Sequence, residues 1–358
     1  MVLSINLYCD RTRGVLRLDQ SSAIELLHRK LGLDERRGRR TLPISPDVDL
    51  PKLDAPEVSV NEYLSIIGSC LHISMVSRPD IASAVGVLAR HSSAPGKQHL
   101  QAARDLVAYL YNTVEQQIVY TRTGHGGNEL NIYERGSPVQ EVKRNGGFMN
   151  DGNVMLSGTG LGKKRKIDHV SDNADAEMSD RLKDRVPVPV PNEVTHYVDA
   201  DFGGDKITRR STSGYIAMMN GGPVSWSSKI QKLAAQSSAE SEIYAATDSV
   251  KEALHLRLLG QEMAGILESE PVRLHEDNQA CIQLAHNLRG SKAAKHYELR
   301  LRFLHEQVRD KNVEFVKINT VDQLADAFTK ALPRDSLTKF RDMMLSPKPE
   351  WLKDLENL

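Results

Sequence analysis

Residues 195–204 read Thr-His-Tyr-Val-Asp-Ala-Asp-Phe-Gly-Gly, a strand-like run that passes directly into carboxylates and then glycines. A strand end holds its side chain rigidly and hard cations take oxygen ligands, so Asp199 suits a divalent ion. Taken alone, Asp199, Asp201 and Asp205 read as solvated turn residues. Three acids further along change the weighing. Glu242 lies in the first turns of a long helical segment, Asp277 ends a strand-like run, and Asp326 sits early in the last helical segment. Four carboxylates converging at one end of a sheet repel one another unless cations neutralise them. Two divalent ions about 3.5–4 Å apart would do so, and such a pair activates water and stabilises the leaving oxygen in phosphodiester hydrolysis. The same acids would serve equally as helix caps and dipole partners, and spacing alone leaves both readings open.

The elements that must position these acids follow from periodicity. Strands are expected over 195–201, 214–219, 223–227, 272–276 and 313–318, with Asn220-Gly221-Gly222 turning a hairpin. A long helix starts near Ser237 or Ser238, with Glu240 as the capping-box acid, and carries Ile243, Ala246, Val250, Leu254 and Leu258 at helical spacing. A short helix follows Asn278, a basic one spans 292–309, and the last starts near Asp322. A hairpin followed by β-α-β crossovers is a mixed α/β sheet with helices on both faces.

Ahead of this lies a segment of different character. Residues 1–20 read as a hairpin, Asp19 or Ser21 caps a helix closed by Gly32, and three apolar helical blocks follow between Tyr63 and Leu110, with Asp80 as a cap. His72, His91 and His99 read as packing or surface residues rather than ligands. Residues 122–192 nearly lack aromatic residues, lose periodicity, cannot bury enough surface to offset ordering entropy, and read as a disordered linker or insert. Within them, Lys163-Lys164-Arg165-Lys166 is a short basic tetrad, either a solvated run or a nuclear-import signal. The 358 residues carry 47 basic and 47 acidic side chains, so net charge names no partner. Three scattered cysteines, Cys9, Cys70 and Cys281, fit a reducing compartment and exclude a disulfide framework or zinc site. No apolar run approaches a membrane span and no signal-peptide pattern is present, so an intracellular protein, cytoplasmic or nuclear, is expected.

Residues 197–334 closely resemble the ribonuclease H domain of copia-type LTR retrotransposon polyproteins. The matching text is Tyr197-Val-Asp-Ala-Asp201, Arg210-Ser-Thr-Ser-Gly-Tyr215, Val224-Ser-Trp-Ser-Ser-Lys229, Ser237 to Ala245, Glu276-Asp-Asn-Gln279, Lys295-His296 and Leu324 to Leu332. Residues 63–71, 78–82 and 102–110 resemble the segment after the reverse-transcriptase palm of the same polyproteins. The resemblance implies a ribonuclease H-like five-stranded sheet (193–335) preceded by a mainly helical reverse-transcriptase remnant (1–121), with a tail at 336–358. It also implies a metal set of Asp199, Glu242, Asp277 and Asp326 holding two Mg²⁺ ions, with Mn²⁺ able to substitute. Glu240 competes with Glu242, and the following Ile-Tyr-Ala-Ala favours Glu242.

The implied activity is endonucleolytic cleavage of the RNA strand of an RNA–DNA hybrid. Arg209, Arg210, Ser213, Asn278, Lys295 and His296 are the candidate substrate contacts, beside Lys292, Arg300 and Arg302, and Trp226 is expected in the core. Further partners would be the missing polymerase palm or other polyprotein products, with no membrane. The polymerase signature Tyr-x-Asp-Asp and its earlier Asp are not in front of residues 63–110, so no polymerase activity is expected. Cellular ribonucleases H place a His after the fifth strand, where this chain has Asn319-Thr320-Val321. The alternatives are a 3′–5′ exonuclease, disfavoured by Asp rather than Glu at position 201, and an inactive remnant that at most binds nucleic acid. The apolar helices of the first segment are expected to be partly exposed.

Overall fold

The computed structural model describes residues 4–33, 40–122, 193–263, 270–287 and 297–349. The 163–166 tetrad, nearly all of the expected linker, Lys292, Lys295 and His296 lie outside the described residues.

The alternation at the start of the chain gives the expected hairpin, β1 (Asn6–Asp10) against β2 (Val15–Asp19). Helix α1 (Ser21–Lys30) starts after Gln20 with no side-chain cap, so neither Asp19 nor Ser21 caps it as expected; Asp19 instead accepts from the Ser21 amide just ahead of it. Ser59 caps α2 (Val60–Val76) by accepting from the Glu62 amide. Helices α3 (Ala82–Ala89) and α4 (Lys97–Asn112) come next. Tyr63, Ile66, Ile67, Cys70 and Ile73 turn one face of α2 onto Leu106, Val107 and Leu110 of α4. Leu64, Leu71 and Met75 on its other face stay exposed.

Asp80 does not cap a helix. It lies inside a 3₁₀ turn, Pro79–Ile81, and is fully buried in a two-pronged ion pair with Arg78 (2.8 and 2.7 Å). Tyr109 donates to the same carboxylate at 2.7 Å, and Arg78 also donates to the Thr113 carbonyl and hydroxyl. A charged pair this deep persists because both groups are hydrogen-bonded on several sides.

Strand β3 (Gln116–Thr121), which no sequence pattern predicts, joins β2 and extends the first segment into a sheet of order β1-β2-β3-β9. Its last member, β9 (Ser346–Pro347), comes from the other end of the chain.

The second sheet is the mixed five-stranded one. Its members are β4 (Thr195–Asp201), β5 (Thr212–Met219), β6 (Gly222–Ile230), β7 (Val272–Glu276) and β8 (Val313–Lys317), in the order β6-β5-β4-β7-β8. The first three run antiparallel, then β7 and β8 run parallel to β4. This order and these directions are a ribonuclease H-like fold, as the sequence implies. Asn220 and Gly221 sit at φ 52° and 83°, the left-handed pair that a tight hairpin turn requires.

The crossovers are α5 (Ser238–Glu262), α6 (Gln279–His286) and α7 (Glu298–Arg309). Ser237 accepts from the Glu240 amide and Glu240 accepts from the Gln236 amide, so Glu240 is spent on the start of α5. The expected single last helix is instead broken. A 3₁₀ turn at Thr320–Asp322 precedes α8 (Asp326–Thr329), and α9 (Arg334–Met344) begins after Pro333. Proline at 333 lacks the amide a continuous helix would need and suits a helix start.

Residues 336–349 are built into the fold. Leu337, Phe340, Met344 and Leu345 share a core with Ile118 of β3, Ile216 of β5 and Phe328 of α8. Trp226 donates its indole N–H to the Ser74 carbonyl at 2.8 Å, Tyr120 donates to the Pro223 carbonyl at 2.6 Å, and Arg90 pairs with Asp205 at 2.6 Å. Residues 4–122 and 193–349 thus form parts of one compact unit.

Candidate metal centre

β4 and β7 are parallel neighbours, so their C-terminal ends open on the same side. Asp199 lies near the end of β4 and Asp277 one residue past β7. Strand ends at such a divergence form the usual binding crevice of an open α/β sheet. Gln323 braces it, donating from Nε2 to the Val198 carbonyl of β4 at 2.9 Å and, more weakly, to the His275 carbonyl of β7 at 3.4 Å.

Oxygen atoms of Asp199, Glu242 and Asp277 all lie within 4.8 Å of one another. Asp199 and Glu242 are 5% exposed, and Asp277 is partly exposed. Of the two acids that compete in α5, Glu242 is the one in this group. The Ala200 amide donates to it, tying the helix start to β4. Thr320, in the 3₁₀ turn after β8, donates to Asp277 Oδ2 at 2.7 Å, and Lys317 donates to the Asp277 carbonyl. Asp326 is buried beside Asp199 but stands outside the group of three, paired with Lys330 at 2.8 Å. Thr329 donates to Asp199 Oδ2.

A further carboxylate lies beside the group of three without joining it. Glu276, whose only signal in sequence is a position beside Asp277, is fully buried and accepts from the Asn278 amide at 2.9 Å and from the Cys281 thiol. Its Oε2 and Oε2 of Glu242 have no hydrogen-bond partner. Buried carboxylate oxygens left without donors are what a cation ligand set looks like before the cation is added. The residues therefore fit a divalent ion. The hard oxygen donors also exclude the cysteine-based alternatives.

Proton affinities follow from the crowding. Burial, then the Asp326 charge, pushes the Asp199 carboxyl up to about 7. Burial raises Glu276 to about 8, and burial with the Glu276 charge raises Glu242. The folded chain thus keeps protons that the unfolded chain has released. The stability this contributes is complete below the ordinary values of 3.8 and 4.5 and is lost as pH rises to 7–8. Metal-free protein should accordingly melt at lower temperature at about pH 8 than at about pH 5. Mg²⁺, which displaces those protons, should raise the melting point more at the higher pH. A melting-point shift that is equal at both pH values would contradict this.

Gly214 lies opposite Asp199 in the β4–β5 register. A Cβ there would stand 2.7 Å from Thr329 Cγ2, 2.8 Å from Phe328 Cβ and 3.1 Å from the Ala325 carbonyl. The glycine lets α8 close onto β5 and deliver Thr329 to Asp199. Gly214→Ala should cost about 1–3 kcal/mol in denaturant titration, the usual range for overpacking.

The expected substrate contacts divide. Arg209 and Arg210 are exposed on the loop after β4, Arg209 at φ 56°. That loop is organised by Asp205, which accepts from the Ile207 and Thr208 amides and pairs with Arg90, so Asp205 is structural. Ser213 is buried and accepts from Gln231, which turns it away from solvent. Asn278 caps α6 by accepting from the Ala280 and Cys281 amides. Arg300 lies over the Tyr244 ring at 4.2 Å, and Arg302 pairs with Glu298 at 2.6 Å. His91 and His99 stack on each other, as packing residues do.

The sheet is ribonuclease H-like, and its strand ends gather three acids close enough together to share a metal ion. The copia-type resemblance is borne out over most of the chain. It is 27% identical over 351 residues to the "Retrovirus-related Pol polyprotein from transposon TNT 1-94" of Nicotiana tabacum, covering 96% of this chain and 21% of that protein. To the "Retrovirus-related Pol polyprotein from transposon RE1" of Arabidopsis thaliana it is 27% identical over 301 residues, covering 84% and 16%. The chain thus spans about a fifth or less of these two polyproteins. No protein-family model matches it. Among solved structures, LC11-RNase H1 in complex with an RNA/DNA hybrid aligns at 14% identity and TM-score 0.30, covering 38% of this chain and 94% of that one. Among the described residues, no helix is long and apolar enough to cross a membrane.

Proposed function

We propose that this chain is the ribonuclease H part of a retrotransposon polyprotein, cutting the RNA strand of RNA–DNA hybrids with divalent metal. The observation that carries the reading is the convergence of Asp199, Glu242 and Asp277 at the parallel strand ends, with buried carboxylate oxygens lacking donors. Asp199, Glu242 and Asp277 would hold Mg²⁺ or Mn²⁺, with Asp326 beside Asp199 for a second ion only once substrate is bound. When bound, such ions supply a water nucleophile at neutral pH and charge stabilisation at the leaving oxygen. Thr329 and Thr320 orient Asp199 and Asp277 through their hydroxyls, and the Ala200 amide orients Glu242. Holding carboxylates in place in this way removes reorganisation from the reaction.

Substrate affinity would come from phosphate contacts, with a hybrid read by shape and 2′-hydroxyls. Arg209 and Arg210 are the described candidates, and Lys295 and His296 remain candidates from sequence. The test is cleavage of a labelled RNA–DNA hybrid by the purified chain in Mg²⁺ or Mn²⁺, beside double-stranded RNA and DNA. RNA cutting confined to the hybrid and lost in Asp277→Asn is the expected result. A folded chain that binds the hybrid without cutting it in either metal would leave the inactive-remnant reading instead.

A further inference from the structure

The chain adds a positive charge of its own to the acidic centre. Lys330 follows Thr329 at the end of α8, where the backbone turns extended (φ −144°, ψ 159°). Consecutive residues thereby address two carboxylates: Thr329 donates to Asp199, and Lys330 Nζ lies 2.8 Å from Asp326 Oδ1. The Lys330 side chain is only 41% exposed, and Asp199, Asp201 and Asp326 all act on its ammonium. Its partner Asp326 is the one acid of the implied four that stands outside the group with shared ligand geometry.

We propose that Lys330 takes the role of a second cation: the chain without substrate binds one divalent ion, on Asp199, Glu242 and Asp277, while the ammonium covers Asp326. This rests on the metal-centre reading of the proposed function. A second ion drawn to Asp326 would meet an ammonium already at hydrogen-bond distance from the ligand oxygen, and two cations on one carboxylate repel strongly where burial limits screening. Removing the ammonium while leaving the carboxylate opens that position.

The deciding measurement is Mn²⁺ binding to the nucleic-acid-free chain by calorimetry, with bound ions counted by electron paramagnetic resonance. Wild type should take up one ion, Lys330→Met two, and Lys330→Arg, which keeps the charge, one. Near-ultraviolet circular dichroism establishes that each variant is folded. Two ions in wild type overturn the proposal whatever the variants do. One ion in folded Lys330→Met also overturns it, reducing Lys330 to an ordinary ion pair spaced four residues apart. No ion bound to any of the three proteins removes the metal-centre reading itself, and the proposal with it.

Discussion

Asp199→Asn should abolish hybrid cleavage and at the same time make the metal-free protein more stable. Both effects come from one group. Asp199 is buried, faces Asp326, and shares ligand geometry with Glu242 and Asp277, so as an anion it is costly in the empty site and central in the loaded one. Asparagine keeps the size and an oxygen to accept from Thr329 but removes the charge. Loss of one preorganised electrostatic group in an active site costs on the order of 10²–10³ in rate, and a ligand common to the whole cluster should reach at least the upper end. Relief of burial and like-charge repulsion should raise stability near pH 8 by on the order of 2 kcal/mol, since each pK step is worth about 1.4 kcal/mol. The gain should shrink toward pH 5, where the wild-type carboxyl is already protonated. A variant that loses cleavage and also loses stability at pH 8 would show Asp199 to be a structural ligand rather than a strained functional one. The checks are hybrid cleavage rates and denaturant titrations at the two pH values.

The second large effect lies far from the acids. Arg78→Met should destabilise the chain by about 3–5 kcal/mol, because it strands the buried Asp80 without its cationic partner. Burial alone would raise the Asp80 carboxyl, but Arg78 and Tyr109 hold it below the usual carboxylate range. Stability from Asp80 is thus present above its ordinary value and is lost as pH falls. The variant should differ most from wild type at neutral pH and least in acid, which urea unfolding across pH would read. A double variant with Asp80→Asn as well should recover part of the loss, since the unpaired charge is then gone. The expected consequence for cleavage is indirect. Arg78 and Asp80 anchor the turn that leads into α3, and Arg90, just past α3, holds the Asp205 loop after β4.

The local elements are legible in the linear text, whereas the set of acids is reached only through the family resemblance. β4 and β7 fall where alternation places them, Ser237 caps α5, and the Asn220-Gly221 turn carries its left-handed angles. These are properties of short stretches, written in periods of two or 3.6 residues and in turn chemistry, so a linear reading reaches them. The preference for Glu242 over Glu240 comes from the family resemblance of the Ile-Tyr-Ala-Ala that follows it; in the fold Glu240 accepts from the Gln236 amide and Glu242 joins Asp199 and Asp277.

Relations between distant residues emerge only when the chain has folded. Gln117 of β3 meets Ser346 of β9 across most of the chain's length, and a two-residue edge strand carries no periodicity to betray it. The break of the last helix after Thr329 is what aims Thr329 at Asp199 and Lys330 at Asp326. Asp80 reads as a cap because Asp before a helical run ordinarily is one. Its burial against Arg78 and Tyr109 depends on α4 packing over it. Ser213 and Asn278 read as substrate contacts, but Gln231 and the start of α6 use them in the fold. Glu276 is silent in sequence because a glutamate closing a strand signals nothing by its type. Only the fold buries it beside Glu242, each with one carboxylate oxygen lacking a partner. Charge, unlike periodicity, acts through space, and its consequences appear only once the chain has brought the groups together.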